Sequence, residues 1–394
     1  MISTFTYFIA FITLPGAIYL LVITIAGYRA IPIPNKEILG ETLNSTRIDS
    51  LNIAIIIPAH DEEIDIAQTL IHINKCLPNK GSYDVWTIID NCTDNTQAVA
   101  KEHGSSILVR NNSEQKGKSY ALNFAFDTLS TESYDVFVVL DADTLCQKNL
   151  LLDIERVFSQ GADAAQMVCL IQTEQDNRYS MLTGLGFVAM NLVRPRVRKL
   201  LGLSVGLFGS GFAIDSEVLR KCPYDTHSIV EDAQYHIKLL LNGYKSVLIE
   251  SSTVYSQVPA YTEGAEQQRN RWEGGRIRLL RDNIGALVRA VLKGNWRLLD
   301  PLFEILLMPL SYHLLGLIII MALAPNTMML IYSLINLSIV AAHFLCVTKH
   351  SNKPTPIFDI LLALPGYLIW KIKILISTLN KSKLDTSWIR TQRK

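Results

Sequence analysis

The chain has 394 residues, of which 49% are hydrophobic and only 19% are charged. This composition is shifted from the soluble average toward membrane proteins, so we expect part of the chain to lie in lipid. Lys and Arg number 37 against 36 for Asp and Glu, which excludes the overall basic excess of a nucleic-acid-binding protein. The six cysteines form no C-x-x-C pair, which argues against a zinc site or a disulfide framework and favours a reducing, cytosolic setting.

The first segment of the chain is apolar and uncharged. Residues 1–28 contain no Asp, Glu, Lys or Arg, and the apolar run over 5–28 reaches the roughly 20 residues that a spanning helix needs. A cleaved signal peptide is the alternative, but no basic residues precede the run and no clear cleavage site follows it. We therefore predict an uncleaved transmembrane anchor over 1–28 and a linker over 29–50.

Short β-branched runs alternate with helical segments in the next part of the chain. Strands are predicted over residues 51–58, 83–90, 106–110 and 134–140, with helices after the first strand and from residues 94, 117 and 149. This alternation predicts an α/β domain with a mostly parallel sheet. No G-x-G-x-x-G follows the first strand, so the fingerprint of dinucleotide binding is missing. Ligands of such sheets bind beyond the carboxyl ends of the strands, where acidic residues gather in this chain.

The most informative acidic pair is Asp141 and Asp143, which directly follows the fourth predicted strand. Two carboxylates separated by one residue at a strand end can both turn toward one divalent cation. Oxygen ligands of this kind suit Mg²⁺ or Mn²⁺ that bridges phosphates. The alternative for an isolated D-x-D is a simple turn with a helix cap, and the neighbouring motifs favour the metal site.

Six other motifs accompany the D-x-D in a fixed order. They are PAHDEE over 58–63, DNCTDNT over 90–96, KGK over 116–118, GSG over 209–211, VED over 230–232 and QRNRW over 268–272. With these motifs the sequence resembles the family 2 glycosyltransferases with a Rossmann-like GT-A domain, in the membrane-embedded branch that includes polysaccharide synthases. The resemblance covers residues 50–275 by motif and the whole chain by topology, and it implies a catalytic domain over 51–272.

The resemblance implies a donor-binding role for several residues. Ala59, Glu62 and Asp90 would contact the uridine of a nucleotide-sugar donor, with Asp90 accepting a hydrogen bond from the uracil ring. Asp141 and Asp143 would bind Mg²⁺ or Mn²⁺. Asp143 would be the more direct ligand, and Asp141 would lie nearer to the ribose or the sugar.

The resemblance also implies a catalytic base. Asp232 matches the general base of the family's (T/S)-E-D motif, and Glu231 stands beside it. Val230 replaces the usual Thr or Ser, which removes a hydroxyl that could cap a helix. The alternative is a helix N-terminus that is simply enriched in acidic residues.

Positive charge for the departing diphosphate is expected from two motifs. Gln268, Arg271 and Trp272 match a Q-x-x-R-W motif that closes over the donor and acceptor sites in the family, and Arg271 and Lys118 can supply the charge. Sugar transfer needs such groups, together with one carboxylate that takes the proton of the attacking hydroxyl. A single base opposite the leaving group gives an in-line displacement, so we expect inversion of the anomeric configuration.

A basic amphipathic segment is predicted over 273–301. Its Arg and Lys residues are interleaved with Ile, Leu and Val, which suits a helix or helix pair lying on an anionic cytoplasmic leaflet. Nucleic-acid binding is the alternative, but the basic residues are not interleaved with aromatic side chains that could stack on bases. We therefore expect a lipid bilayer, and no nucleic acid, as the partner of this segment.

The segment over 302–348 is almost free of charge and about twice as long as one crossing requires. The breaker Ala-Pro-Asn over 324–326 divides it. We therefore predict a transmembrane hairpin with one helix over 302–323 and a second over 327–347.

The remaining segment, 349–394, is apolar over 357–379 and ends in a basic tail. A full crossing would place that tail outside, which the positive-inside rule opposes. We predict an interfacial or re-entrant helix with a cytosolic tail, and a full crossing is the alternative. The same rule places residues 29–301 in the cytosol.

These features together predict a multi-pass protein of the inner (plasma) membrane. The predicted activity is inverting transfer of a sugar from a UDP-sugar to a polysaccharide or lipid-linked acceptor at the cytosolic face, in exopolysaccharide or cell-envelope glycan synthesis. Transfer of one sugar to a lipid acceptor is the alternative, and a channel or transporter with a cytosolic regulatory domain is a remote one. Other envelope or export proteins are possible partners.

Overall fold

The architecture is that of a computed structural model, which describes residues 2–31, 51–76, 82–172, 177–226, 228–256, 263–307, 309–351 and 357–381. Most of the predicted linker and all of the basic tail after residue 381 lie outside these ranges. The chain divides into two compact units that are interleaved along the sequence. We call them the sheet unit (Pro32–Gln172, Ser204–Ala265 and Asp385–Lys394) and the helical unit (Met1–Ile31, Thr173–Leu203 and Glu266–Leu384).

The described residues contain fourteen α-helices. They are α1 (Ile2–Arg29), α2 (Ile66–Cys76), α3 (Thr96–Glu102), α4 (Lys118–Leu129), α5 (Leu150–Phe158), α6 (Arg178–Val188), α7 (Arg194–Leu200), α8 (Ser216–Lys221), α9 (Glu231–Leu241), α10 (Glu263–Leu292), α11 (Leu299–Leu306), α12 (Leu310–Ala322), α13 (Thr327–His350) and α14 (Ile357–Lys381). A π-helical turn over Ala189–Val193 joins α6 to α7, and a 3₁₀ turn over Trp296–Leu298 precedes α11.

The sheet unit is built on one sheet of eight strands within the described residues. They are β1 (Asn52–Ala59), β2 (Ser82–Asp90), β3 (Ser106–Arg110), β4 (Val136–Val139), β5 (Leu145–Cys146), β6 (Ala164–Ile171), β7 (Phe212–Asp215) and β8 (Ser246–Ser256). Their order is β3-β2-β1-β4-β7-β6-β8-β5. The pairs β1–β2, β1–β4, β2–β3 and β6–β8 are parallel, whereas β7 runs antiparallel to β4 and β6, and β5 to β8. The predicted α/β class is confirmed, with a sheet that is mixed.

The central strand β1 is buried on both faces. Ile53, Ile55 and Ile57 belong to a core that includes side chains of α2 and α5, while Ala54 and Ile56 belong to a core that includes side chains of α4 and α9. A strand covered by helices on both faces requires a continuous apolar run rather than an alternating one. Burial of each isoleucine contributes roughly 1.5–3 kcal/mol, so this run favours an interior position for β1, between β2 and β4.

The sequence-based elements agree closely with the sheet unit. The four predicted strands match β1 to β4, and the helices predicted after them match α2 to α5, with ends that differ by two residues or less where bounds were predicted. All six cysteines are free thiols, as their spacing indicates. Strands β5 to β8 were not anticipated from the sequence.

Among the described residues of the helical unit, two helices are long and apolar enough to cross a membrane, namely α1 and α13. A third crossing is possible by length and composition if α11, its preceding 3₁₀ turn and α12 count as one bent span. The predicted anchor and the second arm of the predicted hairpin are therefore confirmed as apolar helices. Asn326 begins that second arm, since its side chain accepts a hydrogen bond from the Met329 amide.

The first arm of the predicted hairpin, 302–323, is wrong as a continuous helix. The chain instead forms α11 and α12, which are bent by 71° relative to one another. Leu307 has an extended backbone after α11, and Pro309 immediately precedes α12. Proline has no amide hydrogen to donate to a helical hydrogen bond, so it favours the start of a new helix over continuation of α11.

The C-terminal helix α14 buries part of its charge within the helical unit. Lys371 is 3% exposed and pairs with Glu273 of α10, and Asp359 pairs with Arg178 of α6 at 3.1 Å. Among the described helices, α14 is not one of those apolar enough to count as a candidate span. The interfacial placement predicted for 357–379 stays a prediction.

The helix α10 contains both the Q-x-x-R-W motif and the beginning of the basic amphipathic segment. The domain boundary predicted between residues 272 and 273 therefore falls inside one continuous helix. Residues 173–203, expected within the catalytic domain, belong to the helical unit. The functional domain limits of 51–272 and 273–301 stay predictions.

Candidate active site

The carboxyl ends of β1 and β2 lie side by side, with Ala59 opposite Ile89. Asp90 ends β2 and is buried. Its Oδ1 accepts hydrogen bonds from Nη1 of Arg110 at 2.6 Å and from Nδ2 of Asn91 at 3.0 Å. Burial raises the pKa of Asp90, and the guanidinium of Arg110 opposes that rise. Arg110 was missed from the sequence, although it ends β3 opposite Asp90 in the parallel register.

The loops that follow β1 and β2 are tied to each other. The Thr93 amide donates to Oδ1 of Asp61 at 2.6 Å, and the Glu62 amide donates to Oγ1 of Thr96 at 2.7 Å. Asp61 and Asn91 both have left-handed backbone, with φ of 54° and 51°. Such strain persists only where surrounding contacts fix it, and it is common in ligand-binding loops. Glu62, which the sequence assigns to the donor site, therefore lies on an ordered loop beside the end of β2.

The turn that carries the D-x-D motif is fixed on two sides. The Asp141 amide donates to Oγ of Ser210 at 3.0 Å, and the Ala142 carbonyl accepts from Oγ1 of Thr69 at 2.7 Å. Asp143 is 4% exposed, whereas the side chain of Asp141 is 35% exposed. Two carboxylates on one fixed turn, one buried and one accessible, fit the oxygen ligands of a divalent cation.

Lys118, Gly209, Asp141 and Asp232 converge on one point of the sheet unit. Nζ of Lys118 donates to Oδ1 of Asp141 and to the carbonyl of Gly209. A Cβ atom placed on Gly209 would lie 3.4 Å from Oδ2 of Asp232 and 3.8 Å from Nζ of Lys118. Gly209 also has φ of 75°, which side chains rarely allow. Glycine is therefore needed here, and the predicted base lies beside the predicted metal turn.

The predicted base stands at the start of α9. Oδ1 of Asp232 accepts a hydrogen bond from the Ala233 amide at 2.8 Å, and Val230 makes no side-chain cap. Burial raises the pKa of Asp232 to about 6. Burial and the negative charge of Asp232 raise the pKa of Glu231 to about 7. These two carboxyl groups can exchange protons near neutral pH, which suits a general base.

Several carboxylates act on the ammonium group of Lys118. Burial opposes the charge of Lys118, yet the carboxylates of Asp141, Glu231 and Asp232 raise its pKa overall. Asp143 is buried one residue beyond Ala142 on the same turn as Asp141. Neighbouring carboxylate oxygens are the donor set that a hard divalent cation such as Mg²⁺ or Mn²⁺ requires.

The Q-x-x-R-W residues belong to the helical unit. Gln268 is buried on α10, and the ring of Trp272 contacts the edge of Phe187 on α6, with centroids 6.0 Å apart. Arg271 also lies on α10, between Gln268 and Trp272 in sequence. Within the sheet unit, Ala59 and Asp90 thus lie at adjacent strand ends, and Lys118 lies together with Asp141 and Asp232. The Q-x-x-R-W residues lie on one helix of the other unit.

The chain is similar in sequence to curated proteins that are named as glycosyltransferases or glycolipid synthases. The β-monoglucosyldiacylglycerol synthase of Nostoc sp. (strain PCC 7120 / SAG 25.82 / UTEX 2576) is 27% identical over 237 residues, which cover 58% of this chain and 50% of that protein. The probable glycosyltransferase YdaM of Bacillus subtilis (strain 168) is 22% identical over 248 residues, which cover 57% of this chain and 54% of that protein. The chain spans about half the length of these curated relatives.

A solved structure shares the fold across nearly the whole chain. The mannosyltransferase PcManGT from Pyrobaculum calidifontis, in complex with GDP-Man and Mn²⁺, superposes with a TM-score of 0.59 at 16% identity, covering 98% of this chain and 100% of that one. The family model described as glycosyl transferase family group 2 matches residues 136–345. That match covers more than half of the chain, and the protein therefore belongs to glycosyl transferase family group 2.

Proposed function

We propose that this protein is a membrane-integrated, metal-dependent, inverting glycosyltransferase. It moves a sugar from a UDP-sugar to a polysaccharide or lipid-linked acceptor at the cytosolic face of the membrane. The observation that carries the proposal is the convergence of Lys118, Asp141 and Asp232 around Gly209. A cation-binding carboxylate, an ammonium group and a base with a pKa near neutrality are the groups that this chemistry needs.

The donor nucleotide is assigned to the ends of β1 and β2. Ala59, Glu62 and Asp90 contact the uridine in this proposal, and Arg110 holds the Asp90 carboxylate in place. An ionised carboxylate can accept a hydrogen bond from the N–H group of a uracil ring but cannot donate one to a carbonyl oxygen. It therefore favours a base that presents a hydrogen-bond donor. The buried Asp90–Arg110 pair supports this assignment.

The diphosphate is assigned to the D-x-D turn and its neighbours. Asp141 and Asp143 would hold Mg²⁺ or Mn²⁺, which when bound neutralises charge on the departing diphosphate. Lys118 adds positive charge beside Asp141. Arg271, Gln268 and Trp272 of α10 are proposed to close over the donor and acceptor.

The acceptor is activated by Asp232. Its carboxylate takes the proton from the attacking hydroxyl while the sugar–phosphate bond breaks on the opposite side, so the anomeric configuration inverts. Glu231 lies next to it, and its negative charge favours uptake of a proton by the pair. The raised pKa values of both groups support proton transfer near neutral pH.

Transfer of one sugar to a lipid, giving a glycolipid, is the second candidate function. It is favoured by the curated relative from Nostoc sp. that is named β-monoglucosyldiacylglycerol synthase. The helical unit with its apolar helices α1 and α13 suits either a lipid or a lipid-linked acceptor. We propose that the protein is multi-pass in the inner membrane, with the sheet unit in the cytosol and export or envelope proteins as partners of a polymerising enzyme.

The test is a donor and acceptor panel on the purified protein in lipid vesicles. Nucleoside diphosphate release is measured with several UDP- and GDP-sugars, in the presence of Mg²⁺ or Mn²⁺, with and without diacylglycerol in the vesicle. Release that requires a UDP-sugar and a metal supports the proposal, and dependence on diacylglycerol selects the glycolipid function. No release with any donor from a folded protein would refute the enzymatic assignment.

A further inference from the structure

Gln166 is a fully buried polar residue in the middle of β6. Its side chain is 0% exposed and lies between the apolar residues Ala165 and Met167 in the strand. A buried amide is costly unless its donors and acceptor are paired, so its partners reveal why it is there. Neither the motifs read from the sequence nor the proposed site accounts for this residue.

The partners of Gln166 are in the loop over 208–211. Nε2 donates to the carbonyls of Ser210 and Gly211 at 2.9 Å each, and Oε1 accepts from the Phe208 amide at 2.9 Å. Nε2 also lies 3.0 Å from the carbonyl of Met167. One side chain therefore binds both ends of this loop.

The same loop contacts the proposed site on its other side. The Gly209 carbonyl accepts from Nζ of Lys118, and Oγ of Ser210 accepts from the Asp141 amide at 3.0 Å. Oγ of Ser210 also lies 2.8 Å from Oγ1 of Thr144, which is next to Asp143 in sequence. The loop thus connects the lysine with the D-x-D turn.

The loop has no regular secondary structure. It is irregular from residue 203 to residue 211, and Gly209 and Gly211 both have positive φ, at 75° and 69°. Main-chain hydrogen bonds tie its end to the sheet, because the Gly211 amide donates to the Val139 carbonyl at 2.9 Å and the Gly211 carbonyl accepts from the Met167 amide at 2.8 Å. Glycines of this kind widen the range of conformations open to the unconstrained chain. External hydrogen bonds must therefore select the one conformation in which Gly209 passes over Asp232.

We propose that Gln166 is a positioning residue for sugar transfer. Its side-chain amide fixes the loop over 208–211 so that the Gly209 carbonyl and the Ser210 hydroxyl hold Lys118 and Asp141 in place beside Asp232. This inference rests on the proposed function, because it assigns Gln166 to the same site. The competing explanation is that Gln166 only stabilises the fold.

The test compares Gln166→Leu with Thr87→Val in lipid vesicles. Leucine has a similar size but removes every hydrogen bond to the loop, so we expect kcat to fall about tenfold or more while the KM for the donor changes little. Thr87 is also fully buried in the sheet, and its hydroxyl lies 2.7 Å from that of Ser105, away from the loop. Thr87→Val should lower the thermal unfolding midpoint but leave kcat unchanged.

A double-mutant cycle separates positioning from stability. If Gln166 acts through the loop on Lys118, then Gln166→Leu should have little further effect on kcat in a Lys118→Met background. Ser210→Ala removes the hydroxyl that accepts a hydrogen bond from the Asp141 amide, and it leaves the side chains of β6 unchanged. It should lower kcat even if Gln166→Leu does not fold. Additive effects in the cycle, or Ser210→Ala with the wild-type kcat, would overturn the inference.

The two proposals fail in different ways. A wild-type protein that releases no nucleoside diphosphate refutes the proposed function and the inference with it. A wild-type protein that is active, with Gln166→Leu showing a lowered unfolding midpoint and the wild-type kcat, refutes the inference alone.

Discussion

Each unit buries a cluster of charged side chains, and the two clusters are balanced differently. In the helical unit, the guanidinium of Arg198 is 0% exposed and donates to Asp300 at 2.8 Å, to Glu304 at 2.7 Å and to the Tyr19 hydroxyl at 3.0 Å. In the sheet unit, the carboxylates of Asp141, Glu231 and Asp232 act on the ammonium of Lys118. The first arrangement ties α1, α7 and α11 together, and the second brings the D-x-D turn close to the start of α9.

The difference shows which buried charge clusters indicate a structural role and which indicate a catalytic one. Each carboxylate that contacts Arg198 has a guanidinium partner, which is typical of an ion-pair network that fixes neighbouring helices. Glu231 and Asp232 in the sheet unit have pKa values raised toward neutrality, chiefly by burial. Carboxyl groups of this kind beside a candidate metal turn can accept a proton during catalysis.

The largest expected effect comes from removing the proposed metal ligands. Asp141→Ala and Asp143→Ala should each reduce turnover by more than about 10³-fold, because a catalytic metal supplies several kcal/mol of charge stabilisation. EDTA should do the same. The matched control is Asp153→Asn, a buried carboxylate of the same unit that accepts from Ser252 at 2.5 Å outside the site and should keep its turnover. Full activity in excess EDTA would remove the metal from the mechanism.

The base should show the next largest effect. Asp232→Asn is nearly isosteric but cannot accept the proton, so turnover should fall by roughly 10²- to 10⁴-fold. Donor binding, measured by calorimetry with UDP and metal, should survive. Glu231→Gln should lower turnover less, because it leaves the Asp232 carboxylate in place. If Asp232→Asn weakened donor binding but kept its rate at saturation, the role of base would have to move to another residue.

The helical cluster should respond in stability rather than in chemistry. Arg198→Met removes the buried guanidinium and leaves Asp300 with the Tyr19 hydroxyl and Glu304 with Arg194 at 3.9 Å. This change should lower the free energy of unfolding by about 3 kcal/mol. Arg281→Met removes an exposed pair with Asp282 and should cost about 1 kcal/mol or less. Denaturation of both variants in the same detergent measures the difference. Equal stability of the two variants would contradict the structural role of the Arg198 cluster.

The pH dependence sharpens the comparison further. The carboxylate form of Asp232 is lost as the pH falls through about 6, so kcat at saturating donor should decline on the acid side of that value. Folding raises the pKa values of both Glu231 and Asp232. Their contribution to the free energy of unfolding is therefore fully present below about pH 4 and is lost as the pH rises toward 7. In Glu231→Gln the acid limb should move to lower pH. A flat rate profile down to pH 5 would argue against Asp232 as the base.

The smallest effect concerns topology and is a labelling pattern rather than a rate. In intact cells, a membrane-impermeant thiol reagent should modify Asn326→Cys, at the turn before α13, but not Ser113→Cys in the sheet unit. The unsubstituted chain, with Cys92 partly accessible, is the background control. Labelling of Ser113→Cys from outside would place the sheet unit away from cytosolic nucleotide sugars and refute the proposed orientation.

The sequence by itself determined the parallel half of the sheet and the apolar helices. The run over 53–57 is apolar without interruption because both faces of β1 are covered, and that pattern is local. The charge-free segments of α1 and α13 are equally local, since helix length and hydropathy can be read from consecutive residues. The D-x-D turn was placed correctly because it directly follows one of these strands.

The tertiary structure alone decided the surroundings of those motifs. The antiparallel insertion of β7 between β4 and β6 brings Gly209 over Asp232, and Gln166 reaches the same loop from the neighbouring strand. The pairing of Arg110 with Asp90 depends on the register of β2 and β3. Hydrophobic periodicity reports which face of an element is buried, but the partner of a polar side chain is fixed by contacts between residues distant in sequence, which carry no local pattern.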